Sequence, residues 1–252
     1  MTRSSNSGFA MMTGVVVVLA ILAGSAMAQG AVDYQAIVAE PDRSDADRQI
    51  DLRRQPSNML AFTGVKPGMK VLDMGAGAGY STELLARAVG PTGAVYAQDS
   101  AAVIERIVKD RFDIRAQKPA MKSVVRLVRD YDDPLPPGTE ALDLITFFFA
   151  YHDTTYMPID RAAMNRKMFA ALKPGGFLVI ADHSARPGDG ITVGKTLHRI
   201  EETSLRQEIE AAGFKLAGEA GFLRHPDDPR DAVVFRSPVP VDEFVLKYQK
   251  PL

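Results

Sequence analysis

The 252-residue chain contains no cysteine. Disulfides, thiolate metal sites and thiol nucleophiles are excluded together. An excess of one charge is also lacking: 30 basic residues stand against 31 acidic ones. Such a balance gives no electrostatic footprint for a nucleic-acid partner, and none is expected. A basic stretch does run through Arg106, Lys109, Arg111, Arg115, Lys118, Lys122, Arg126 and Arg129. It is interleaved with Glu105, Asp110 and Asp113, as on a solvated helix face. Repeats and low-complexity tracts are absent, and nothing in the pattern fixes an oligomeric state.

The start of the chain carries Arg3, a polar stretch, an apolar run over 11–23, and then Ala26-Met27-Ala28. A basic start, a short apolar run and an A-x-A ending match a secretory signal peptide. Residues 1–28 are therefore expected to be removed, leaving an exported, periplasmic or secreted chain that begins at Gln29. The run is too short to span a bilayer comfortably, so no stable anchor is expected after cleavage. No cysteine is there to carry a lipid, and no twin-arginine pair is present. Translation starting at Met27 would instead leave the protein cytoplasmic.

Residues 29–62 are polar and helical in pattern, a cap ahead of a domain over 63–252. Within that domain strands and helices alternate. Strands are expected over 71–74, 94–97, 124–128, 142–149, 177–181, 214–217 and 243–248. Helices are expected over 82–89, 101–112 and around Met164, Met168, Ala171 and Leu172, whose spacing is helical. Pro174-Gly175-Gly176 is expected to stop that last helix. Ser204-x-x-Gln207 has the form of a capping box opening a helix that Gly213 ends. The alternation predicts an α/β, Rossmann-like, seven-stranded and mostly parallel sheet with helices on both faces. Ligands then bind beyond the carboxyl ends of the strands.

The first such end is Asp73-Met74-Gly75-Ala76-Gly77-Ala78-Gly79-Tyr80. The dinucleotide fingerprint G-x-G-x-x-G would require glycine at position 80, where Tyr80 stands. A carboxylate at Asp73 opposes a pyrophosphate and suits a ligand with positive charge, such as a sulfonium with an amino group. Asp99, at the end of the second strand, is placed to accept both hydroxyls of a ribose. After the third strand, Asp130 is placed to accept from an adenine amino group and Tyr131 to pack on the ring.

The set Asp73-x-Gly75-x-Gly77-x-Gly79, Asp99, Asp130 and Leu172-Lys173-Pro174-Gly175-Gly176 resembles the motifs of class I S-adenosylmethionine-dependent methyltransferases, over roughly residues 60–250. The resemblance implies S-adenosyl-L-methionine as cofactor, held by Asp73, Gly75, Gly77, Gly79, Asp99, Asp130 and Tyr131. A narrower set also resembles a group of predicted bacterial methyltransferases, many with signal peptides. It comprises Val65–Met69, residues 148–153, Ala181-Asp182-His183, Leu197–Ile200 and Phe244–Lys247.

The loop after the fourth strand carries Tyr151, His152 and Asp153, with Asp182-His183 after the fifth. His152 is the first choice for a general base, because imidazole titrates near neutral pH. Tyr151, Asp153 and His183 complete the catalytic candidates, and His198-Arg199 is a further pocket lining. Asp182, His183 and Asp153 resemble an incomplete metal set, and no metal is expected. Arg53 and Arg54 either close over the cofactor or lie on a solvated helix face, and the solvated face is expected. The motif Asn/Asp-Pro-Pro-Tyr/Phe is absent, which counts against adenine N6 or glutamine as acceptor. Without cysteine, C5 methylation of a pyrimidine lacks its usual nucleophile. The expected function is methyl transfer to an oxygen or nitrogen of a small-molecule acceptor. Two alternatives stay open: a non-catalytic S-adenosylmethionine or nucleoside binding protein on the same fold, and an NAD-dependent oxidoreductase.

Overall fold

In the computed structural model, residues 1–2 and 32–252 are described, so nearly all of the expected signal segment lies outside the described residues. Seven strands form one sheet: β1 (Lys70–Met74), β2 (Ala94–Asp99), β3 (Val124–Val128), β4 (Leu142–Phe148), β5 (Leu172–His183), β6 (Lys215–Ala220) and β7 (Glu243–Gln249). Their order is β3-β2-β1-β4-β5-β7-β6. Strands β1 to β5 pair in parallel, and β7 runs antiparallel between β5 and β6. The chain winds outward in one direction from β1 and in the other from β4. The β1/β4 boundary is thus the switch point, where loops diverge and leave a crevice.

Nine α-helices flank the sheet among the described residues: α1 (Tyr34–Ala39), α2 (Asp45–Arg54), α3 (Pro56–Thr63), α4 (Tyr80–Val89), α5 (Ala101–Val103), α6 (Arg111–Ala116), α7 (Arg161–Ala171), α8 (Gly194–Leu197) and α9 (Glu202–Ala211). Strand β5 shows why both faces are covered. Leu178 and Ile180 point into a core with Met164 and Met168 of α7 and Leu205 and Ile209 of α9. Val179 and Ala181 point the other way, onto Met59 and Leu60 of α3 and Leu84 and Leu85 of α4. Alternation on a strand buried on both sides needs apolar residues at nearly every position, and β4 and β5 supply them.

Three local expectations are corrected. The helix expected over 101–112 is broken: α5 passes into a π-turn at Ile104–Val108, and Lys109 takes a φ of 52° before α6 begins. Pro174-Gly175-Gly176 lies inside β5 rather than after a helix stop. Helix α7 already ends at Ala171, and the main chain at Gly175 and Gly176 bonds to Lys250. Ser204 does not cap α9, which begins at Glu202 with Glu201 at its N-cap and no side-chain cap.

Candidate functional site

Strand β1 delivers the chain to Gly75, Gly77 and Gly79, which have φ of 64°, 59° and 80°. L-residues avoid this left-handed region, so only glycine turns here without strain. A Cβ on Gly75 would also sit 2.9 Å from Ala150 Cβ. Gly77 differs: its missing Cβ would meet nothing nearer than 4.0 Å, so its bare face is open for a ligand. The turn feeds directly into α4, whose N-cap is Gly79.

A cleft of about 310 Å³ opens at this turn, lined by Asp73, Gly75, Gly77, Asp99, Tyr131, Arg54, Phe149 and Asp153, among others. A second cavity of about 520 Å³ adjoins it along Val103, Ile107 and Tyr131, and adds Asp130, Tyr156 and Lys195. The expected cofactor residues Asp73, Gly75, Gly77, Asp99, Asp130 and Tyr131 are therefore brought to one connected hollow.

Their roles differ in detail. Asp73 is buried, and both its oxygens are engaged: Thr82 Oγ1 donates at 2.6 Å and Thr146 Oγ1 at 2.8 Å. It braces β1 against α4 and β4. Burial pushes its pKa up to about 6. Asp99 has one oxygen accepting from Gly77 N at 2.8 Å, while Oδ1 is buried without a partner. Burial raises its pKa to about 7. An unpaired buried carboxylate oxygen costs free energy, and a ligand hydroxyl would remove that cost. Tyr131 lies nearly parallel to Phe147, with ring centroids 5.9 Å apart, and burial holds its hydroxyl neutral. Asp130 is exposed at the mouth of the second cavity.

Arg54 departs from the expected solvated face. Its guanidinium lies 4.4 Å from the Phe149 ring centroid and 5.5 Å from that of Tyr80, and its buried Nε has no partner. Burial, with Arg53 beside it, lowers its pKa to about 10, so it stays cationic at neutral pH. The docking of α2 puts it there. Arg43 binds Asp51 through both nitrogens, and Tyr80 donates to the same carboxylate at 2.6 Å. Arg115 joins Asp47 of α2 to Glu83 of α4.

Beyond the cleft stands a histidine cluster. His152 is buried, and its Nδ1 lies 2.7 Å from Asp182 Oδ1. Its Nε2 lies 3.3 Å from His198 Nδ1 and 3.2 Å from Asp153 Oδ1, and those two atoms are 3.3 Å apart. Burial opposes charge on His152, but Asp182 and Asp153 outweigh it and raise the pKa to about 10. The expected general base is thus held as a cation as it stands. His198 has a φ of 54° and stacks on Phe235, with centroids 4.8 Å apart.

Two expected catalytic residues face elsewhere. The Tyr151 hydroxyl donates to Glu208 at 2.7 Å and accepts from Asn165 at 2.9 Å. It serves the core between α7 and α9. His183 lies behind Phe149, its Nδ1 2.9 Å from Glu243 but not aligned for a hydrogen bond. Burial lowers its pKa to about 3, so it is neutral. The Asp182 oxygens instead accept from the His152 ring, the His152 main chain and the His183 main chain. Of the two placements open to Arg54, the structure shows the one at the cleft rather than the preferred solvated face, and sequence reasoning gave no role to Tyr156 or Glu243.

A crevice at the switch point, a glycine turn that admits a ligand, and a carboxylate with one unpaired oxygen at the end of β2 define a nucleoside-cofactor domain. The chain matches the family model described as a methyltransferase domain over residues 65–217. It belongs to that family, within the class I S-adenosylmethionine-dependent methyltransferases. It is similar to a ubiquinone/menaquinone biosynthesis C-methyltransferase of Cupriavidus pinatubonensis, 29% identical over 167 residues. That match covers 66% of this chain and 61% of the relative's length. Among solved structures, a SAM-dependent methyltransferase of Aquifex aeolicus shares the fold with a TM-score of 0.58 at 20% identity, covering 87% of this chain and 99% of that one. A putative sarcosine dimethylglycine methyltransferase of Galdieria sulphuraria gives a TM-score of 0.57 at 16% identity, covering 82% of this chain and 99% of that one.

Proposed function

We propose that this protein transfers the methyl group of S-adenosylmethionine to an oxygen or nitrogen of a small-molecule acceptor docked beside His152, Asp153 and His198. The observation that carries this reading is a pair of buried, unpartnered atoms in one cleft, Asp99 Oδ1 and Arg54 Nε. A ligand that joins a ribose diol to an amino-acid carboxylate satisfies both. Asp99 accepts the ribose hydroxyls, and Arg54 holds the carboxylate. Gly75 and Gly77 line the cleft and the bare face of Gly77 lets the main chain approach, whereas Gly79 packs on Arg115 and Phe112. Asp130 and Tyr131 flank the adenine side, and the charge of Asp73 favours the sulfonium and amino group.

The cofactor supplies an electrophilic methyl on a sulfonium that departs as a neutral thioether. The protein's work is then chiefly to align the acceptor in line with that bond, which is worth up to about 7–11 kcal/mol in favourable cases. Asp153 borders the cofactor cleft and also belongs to the histidine cluster, so an acceptor atom held there faces the cofactor. A carbon acceptor is a second reading, supported by the C-methyltransferase relatives. NAD is disfavoured by Asp73 and by Tyr80 in place of glycine. We also propose export, on the strength of the basic start, apolar run and Ala26–Ala28 ending; a native N-terminus at Gln29 supports it, and one at Met27 overturns it.

An acceptor screen that reads S-adenosylhomocysteine release tests the reaction. Acceptor-dependent release supports it. Tight cofactor binding without release across phenols, enols, amines and carboxylates would mean a binding protein instead.

A further inference from the structure

We propose that His152 Nε2, Asp153 Oδ1 and His198 Nδ1 form a binding site for one tetrahedral divalent cation of the zinc class. The three atoms converge at separations of 3.2, 3.3 and 3.3 Å. These lengths fit a shared cation. Hydrogen bonds between charged nitrogen and oxygen run at about 2.7–2.9 Å, as His152 and Asp182 show at 2.7 Å. The triangle is wider than that on every side. A tetrahedral cation with bonds of about 2.0–2.1 Å sets its ligands roughly 3.3–3.4 Å apart. An octahedral magnesium with the same bond length would set neighbouring ligands at about 2.9–3.0 Å, and it prefers oxygen. Two imidazoles and one carboxylate suit zinc, and they leave the fourth position open for water or an acceptor atom.

The surroundings are those of a metal ligand set. Asp182 accepts from His152 Nδ1, so Nε2 faces Asp153 and His198 and offers a lone pair once an entering cation displaces its proton. Asp182 is itself fixed by the main-chain N–H groups of His152 and His183, each at 2.8 Å. Tyr156 donates to Asp153 Oδ1 at 2.5 Å. His198 reaches the cluster from a left-handed backbone conformation at the end of α8, a strain that such sites commonly retain.

The cation's use rests on the methyltransferase reading. Asp153 is shared with the cofactor cleft, so a cation there acts as a Lewis acid on an acceptor hydroxyl. It would lower the hydroxyl's pKa, so that the oxygen attacks as the anion while its proton leaves to water.

The test is calorimetric titration of zinc chloride into chelator-treated, untagged protein, with elemental analysis. One zinc per chain is expected. His198→Ala and Asp153→Asn should each weaken binding more than about tenfold, and Asp182→Asn about 10–100-fold. Cobalt substitution should give the intense visible absorption of a tetrahedral site. Thermal denaturation reports folding, and His198→Ala should keep both the melting transition and the S-adenosylhomocysteine affinity. No saturable zinc binding, or binding unchanged in His198→Ala and Asp153→Asn, overturns the proposal. Zinc binding lost in those variants, in a protein that fails to bind S-adenosylhomocysteine, leaves the metal site standing and refutes the cofactor reading.

Discussion

Replacing Asp99 with Asn should change cofactor affinity and stability in opposite directions. In the folded chain Asp99 Oδ2 accepts from Gly77 N, and Oδ1 has no partner. Burial raises the pKa from 3.8 to about 7. That rise corresponds to roughly 4 kcal/mol of disfavour for the charged form, to order of magnitude. At pH 8 the free protein bears this cost with no ligand to offset it. Asn keeps an oxygen for Gly77 and removes the charge. Asn also buries an amide donor without a partner, at a cost of about 1–3 kcal/mol. The net gain of roughly 1–3 kcal/mol should raise the melting temperature of the free Asp99→Asn protein by about 2–12 °C, at roughly 2–4 °C per kcal/mol for a domain of this size. The bound state moves the other way. Hydrogen bonds from ribose hydroxyls to a charged acceptor are worth about 1.5–3 kcal/mol, so S-adenosylhomocysteine affinity should fall about ten- to a hundred-fold. Calorimetry and thermal denaturation on the same sample measure both. An affinity within twofold of the parent, or a loss of affinity that accompanies a lower melting temperature, would refute the assignment.

Three further outcomes are expected. Because the folded pKa of Asp99 lies above its unfolded value, its contribution to stability is present at low pH and lost as pH rises from about 4 to about 7. Cofactor affinity should show the reverse, weakening as pH falls from 8 to 6; titrations across that range should lose the trend in Asp99→Asn. Arg54→Met should weaken S-adenosylhomocysteine by about ten- to a hundred-fold yet leave 5′-methylthioadenosine, which has no carboxylate, unchanged. Equal losses for both ligands would make Arg54 a packing residue. Tyr151→Phe removes a bond to Glu208, which keeps Arg161, and one to the buried Asn165, and should cost about 1 kcal/mol by denaturant unfolding, with cofactor affinity intact; an affinity loss in a stable variant would return Tyr151 to the site.

The sheet and the cofactor turn were legible because local rules decide them. An apolar run such as that of β4 marks a strand buried on both faces, and the glycine spacing after β1 states where the backbone must turn left-handed. Asp99 followed from the same strand-end geometry. What failed depends on contacts distant in sequence. Arg54 looks like any arginine in a polar helix, and only the docking of α2 through Asp47 and Asp51 carries it onto Phe149. Tyr151 neighbours His152 in sequence, but the tight turn after β4 sends one to α9 and the other to Asp182. His198 joins His152 across 46 residues, a meeting that spacing alone does not encode. Ser204 resembled a cap because the motif is short, and the helix simply began three residues earlier.

The central claim is that the hollow at the β1/β4 boundary holds S-adenosylmethionine. Calorimetric titration of the protein with S-adenosylhomocysteine and, separately, with NAD tests it most directly. One saturable S-adenosylhomocysteine site per chain and no heat from NAD is the predicted result. Tight binding of NAD with none of S-adenosylhomocysteine would contradict it.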